Sequence, residues 1–181
     1  MNKDKLYNDA KLLYLKYNCS TYEMAMENIK DFERYNLFNI PKEIEYKWKS
    51  EMIEKISSKL GNKTFSVDIW KNIVKMCELV DSTKSIIDLS LIYHCIKDNF
   101  MFFTSQDKML VSEAIIGRKH TSQRSGLIYL SYDIGNIELA KNFALLCLEL
   151  SDIECNEYDI KIRLEESKKM CINIIEELFL F

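Results

Sequence analysis

The residues with the most chemistry to offer gather in one place. Between Gly117 and Gly126 the chain reads GRKHTSQRSG, with Arg118, Lys119, His120 and Arg124 and no acidic residue. Thr121 and Ser122 stand where they can cap a following helix, so hydroxyls, backbone N–H groups and basic side chains would converge there on one anion. The plain alternative is a solvated basic loop bracketed by glycines, because no glycine-rich phosphate cradle accompanies it.

Other chemistry is harder to assemble. The two histidines, His94 and His120, have no ligand partner four residues on, and no G-x-S-x-G, H-E-x-x-H or P-loop pattern occurs. His94 lies in the apolar stretch LIYHCI, where a hydrogen-bonded core imidazole is expected rather than a base. Six cysteines (Cys19, Cys77, Cys95, Cys147, Cys155 and Cys171) are scattered without a C-x-x-C pair, the pattern of reduced packing residues. Glu45 with Lys49 and Glu51 with Lys55 stand at i, i+4, as on a solvated helix face. The Glu-x-x-His motif of metal-binding bundles is missing. The sequence therefore implies no catalytic group, no metal and no cofactor.

The elements that must carry these residues are helices. Among 181 residues there are 4 glycines and 1 proline, too few for a sheet-rich fold with many tight turns, while 48% apolar residues suffice for a sizeable core. Start and stop signals divide the chain into about nine helical segments. The first runs from about Lys3 to Tyr17. Ser20 and Glu23 form a capping box for the second, which ends near Tyr35. Pro41 suits the first turn of a third helix, in which Ile44, Trp48, Met52, Ile56 and Leu60 recur every four residues up to Gly61. Ser66 is expected to cap a fourth, Asp81 or Ser82 a fifth, and Thr104 or Ser105 a sixth that stops at Gly117. A seventh follows the basic stretch, Gly135-Asn136 separates it from an eighth over Ile137–Leu150, and a ninth covers Glu157 to Phe179. Short connections imply antiparallel neighbours, and no linker-like composition interrupts the chain. The expected fold is all-α, residues 1–181 forming a single domain of stacked helical hairpins or a bundle.

Within that frame, Leu127 to Leu150 resembles a tetratricopeptide repeat, a helix-turn-helix unit of about 34 residues. Leu127 and Tyr132 match first-helix positions, Gly135-Asn136 the turn, and Ala140 and Cys147 the small residues where helices approach closely. The pattern departs at Arg124, Ile128 and Asp152, where the family commonly has tryptophan, glycine and proline. A weaker copy lies at Leu12, Tyr14, Leu15, Tyr17, Glu23 and Ala25. The resemblance implies a concave groove holding a peptide or a partner helix, with Tyr14, Tyr17 and Asn18 from one copy and Tyr129, Tyr132 and Asp133 from the other. Tyrosine offers a large contact area on two rotatable bonds. The alternative is that these rings are packing residues at helical spacing. Two aromatic clusters, Phe100 to Phe103 and Leu178 to Phe181, are expected to dock on the core or to form an interface.

Charge and hydropathy bound the function. A net charge of −3 offers no general attraction to nucleic acid. The N-terminus lacks a signal-peptide apolar region, and no apolar run approaches the roughly 18 residues of a membrane span. A cytoplasmic, non-enzymatic protein that binds a protein or peptide partner is the expectation, and a small acidic binder of this kind resembles in general type the immunity proteins that neutralise bacterial toxins. The alternative is anion or nucleic-acid binding through residues 118–124.

Overall fold

The computed structural model describes residues 42–61, 69–117 and 126–180. Two compact units divide the chain, Met1–Trp48 and Lys49–Phe181. Of the first, only the opening turns of one helix fall among the described residues. The helices expected before Pro41, and with them Tyr14, Tyr17 and Asn18, lie outside, as do Ser66 and the basic stretch.

The described residues are all-α, with no strand among them. Seven α-helices follow in order: α1 (Lys42–Gly61), α2 (Ile69–Thr83), α3 (Ile86–Asn99), α4 (Ser105–Ile116), α5 (Leu127–Asp133), α6 (Ile137–Ser151) and α7 (Tyr158–Phe179), with a 3-10 turn at Phe100–Phe102 between α3 and α4. Their faces are set by helical periodicity. In α7 the buried residues are Leu164, Ser167, Cys171, Ile174 and Leu178, alternating by three and four along one stripe. In α1, Met52, Ile53, Ile56 and Leu60 are buried, the second half of the four-residue recurrence visible in the sequence.

Local chemistry ends each element. The N–H of Lys84 donates to the Val80 carbonyl at 2.8 Å while Lys84 itself takes a positive φ of 49°, so α2 closes in a left-handed turn. Ser85 then caps α3 by accepting from the N–H of Asp88. The sequence suggests Asp81 or Ser82 for this role. Both instead lie inside α2, because the left-handed residue that ends the helix is a lysine and carries no glycine signal. Thr104 and Asp107 form a complete capping box on α4, which ends at Gly117 with φ 76°. Gly135 (φ 91°) permits the turn after α5, and the Asn136 side chain accepts from the Leu139 N–H to start α6.

A polar seam ties α1 to α3. The Asp88 carboxylate, 2% exposed, accepts hydrogen bonds from Ser50 Oγ at 2.6 Å and Thr83 Oγ1 at 3.1 Å. Two turns further on, the Cys95 thiol donates to Ser57 Oγ at 3.2 Å. Both pairs advance by the same seven residues on each helix, so α1 and α3 run parallel. Helix α6 buries the broadest face, including Leu139, Ala140, Phe143, Ala144, Leu146, Cys147 and Leu150. It packs against α4, α5 and α7, while α4 also packs against α2 and α7. The pairs Asp152–Lys168 and Ala144–Cys171 show α7 running back along α6. Of the aromatic cluster at Phe100–Phe103, Phe103 docks on the core, whereas Met101 (83% exposed) and Phe102 project outward.

Candidate functional site

A cleft of about 640 Å³ opens within the unit Lys49–Phe181. Helix α2 supplies one wall through Trp70, Val74 and Cys77, with Glu78 and Asp81 on the same side. Spacings of four and three residues put all five on one helical face. Opposite stand Leu110, Glu113 and Ala114 of α4 and Leu127 and Leu130 of α5, and Arg163 reaches in from α7. The volume lies within the range of ligand pockets, whose walls are mostly apolar with a few polar groups to fix orientation.

Two local features hold this shape. Glu113 and Arg163 form a bidentate pair, Nε to Oε1 and Nη2 to Oε2 each at 2.6 Å, joining α4 to α7. The carboxylate of Glu113 and a second one at Glu166 hold the Arg163 guanidinium still more firmly charged. Gly126, with φ 106°, lets the chain enter α5 directly against the end of α4: a Cβ there would lie 2.5 Å from the Ile116 carbonyl oxygen. Gly117 and Gly126 both line the cleft, so the segment carrying Arg118, Lys119, His120, Thr121, Ser122 and Arg124 leaves and rejoins the described fold at its edge. Those six residues themselves lie outside the described residues.

The groove residues of the repeat resemblance are distributed differently from the cleft. Tyr129 is half-buried and its hydroxyl donates to Glu177 Oε2 at 2.8 Å. Tyr132 is half-buried too, its ring edge-on to Phe179 with centroids 6.0 Å apart, and Asp133 is exposed. None of the three lines the cleft, whose α5 residues are Leu127 and Leu130.

Four thiols among the described residues are packing groups. Cys77, Cys95, Cys147 and Cys171 are buried and unbridged. Burial above all, and then the charge of Glu78, push the Cys77 thiol up to about 12, so at neutral pH it is a protonated part of the wall and no nucleophile. Burial likewise raises Cys95. Cys147 is held above its ordinary value by its hydrogen bond with the Cys171 thiol and by burial. His94 is exposed, its ring edge-on to Tyr93 at 5.5 Å, and is not the core imidazole expected from its apolar neighbours. No group of three or more metal-ligating side chains occurs among the described residues. None of their helices is long and apolar enough to cross a membrane.

Sequence reading passes over this cleft because Trp70, Val74 and Cys77 have the spacing of ordinary core residues. A signal was present in Arg163, one of only four arginines and placed within an acidic C-terminal segment. Comparison with protein-family models, with curated proteins and with solved structures finds no match to this chain.

Proposed function

We propose that this chain is a non-enzymatic, cytoplasmic interaction protein whose cleft receives apolar side chains of a protein or peptide partner. One observation carries the reading: a cleft of about 640 Å³ is walled by the apolar side chains of Trp70, Val74, Leu110, Leu127 and Leu130. Apolar surface left accessible in this way marks a place where another molecule completes the packing. The raised Cys77 thiol supplies no nucleophile there. Stacked helical hairpins of tetratricopeptide type, with the half-buried Tyr129 and Tyr132 beside exposed Asp133, offer a further surface of the same use. Blocking a toxin, as immunity proteins do, is one task that such a surface serves.

The test replaces Leu110 or Leu130 by aspartate. Both are only partly buried, so each charge falls on the cleft wall and leaves the core intact. Affinity capture from the native cell, quantified by mass spectrometry, is expected to lose a specific partner with either variant while circular dichroism and melting temperature stay close to wild type. Retention of the same partner by both variants excludes the cleft as the binding surface.

A further inference from the structure

The carboxylates of the cleft are unequally answered. Glu113 gives both oxygens to Arg163. Glu78 is answered too, by Lys75 at 3.6 Å in an i, i+3 pair. The Asp81 side chain makes no hydrogen bond or ion pair among the described residues. Asp81 is exposed at the end of the wall, so an arriving cation meets a carboxylate that it need not desolvate, for a gain of at most about 1 kcal/mol.

Length sets the second constraint. Trp70 and Asp81 mark the ends of the α2 wall, eleven residues apart, which is roughly 16 Å along the helix. An extended peptide rises about 3.3 Å per residue, so some five residues match that span. We infer that the cleft selects an extended, apolar segment of a protein partner with a lysine or arginine at the end that meets Asp81. The apolar side chains fill the space between Trp70 and Leu130, and the cation pairs with Asp81. This assignment rests on the cleft being the partner-binding surface.

The experiment titrates the full-length, isotope-labelled protein with three peptides and follows amide shifts by NMR. The probes are acetyl-Lys-Leu-Ala-Leu-Leu-Lys-amide and its analogues with both lysines replaced by glutamine or by glutamate. A cation at each end makes the result independent of chain direction. The lysine peptide is expected to bind about fivefold tighter than the glutamine peptide, as one partly screened charge pair provides, and the glutamate peptide weakest of all. Shifts should centre on residues of α2, α4 and α5. In Asp81→Asn the lysine peptide should fall to within about twofold of the glutamine peptide, whose own affinity stays unchanged. Equal binding of all three peptides overturns the charge selection and leaves the cleft as a binding surface. Tightest binding by the glutamate peptide, lost when Arg118, Lys119 and Arg124 are replaced by alanine, overturns it in favour of an anionic ligand. If no peptide shifts any resonance of the cleft, both the selection and the cleft reading fall.

Discussion

At the scale of single residues, Gly126 and Cys77 make opposite kinds of demand. Gly126 needs to be glycine twice over, for its φ of 106° and because backbone atoms of Ile115 and Ile116 occupy the space a Cβ would need. Gly126→Ala should therefore cost about 1 to 3 kcal/mol or more, read from urea unfolding. Gly135→Ala, with φ 91° but nothing within 4 Å, should cost only the backbone strain of about 1 kcal/mol. Cys77 demands a proton. Its thiol titrates near 9.0 in an unfolded chain and near 12 in the fold, so the folded state resists ionisation. Below pH 9 this makes no difference to stability; between pH 9 and 12 the unfolded chain loses the proton first, and stability falls by up to about 4 kcal/mol. Cys77→Ala should remove that part of the alkaline loss, seen as a shallower decline of the urea midpoint from pH 8 to 11 than in wild type. Neither property is visible in the letters. Both glycines read simply as turn residues, and Cys77 as one more apolar position.

At the scale of elements, the sequence was readable where side chains act on their own backbone. Thr104 with Asp107, Asn136 with Leu139, and the glycines at 117 and 135 are local devices, and the helices they bound stand where the pattern places them. Thr104→Ala should cost about 1 kcal/mol, measured by thermal melting, through the loss of the hydrogen bond to the Asp107 N–H. Legibility failed where the deciding partner is remote in sequence. The buried Asp88 looks like any exposed helix acid until Ser50 arrives from 38 residues away. The cleft likewise depends on α2, α4, α5 and α7 meeting, which no window of one helix reveals. Small residues stand between these cases: Ala140, expected at a helix crossing, is fully buried, but its neighbour could not be read from the sequence. Ala144, 2% exposed, faces α7, where the Cys171 thiol donates to its carbonyl at 3.2 Å. Ala144→Leu should force the helices apart at a cost of about 1 to 3 kcal/mol in chemical unfolding.

At the scale of the whole molecule, charge argues against a general nucleic-acid role. With a net charge of −3, three cations at Arg118, Lys119 and Arg124 are expected to lose a polyanion once salt competes. Fluorescence anisotropy with labelled duplex DNA or single-stranded RNA should show no appreciable binding at about 0.15 M salt; micromolar binding abolished by alanine at those three positions would reverse this ranking. The close approach of Gly126 to Ile116 has a different consequence for the same segment. Gly126 lies against Ile115 and Ile116, so the fold itself holds the end of α4 and the start of α5 together, whatever the length of chain between them. Closing such a loop costs an entropy that grows only with the logarithm of its length, so doubling the eight residues (118 through 125) should cost just about 0.6 kcal/mol. The edge of the cleft is thus a place where added sequence should cost little in chain entropy, whether it arrives by evolution or by the insertion of a recognition loop.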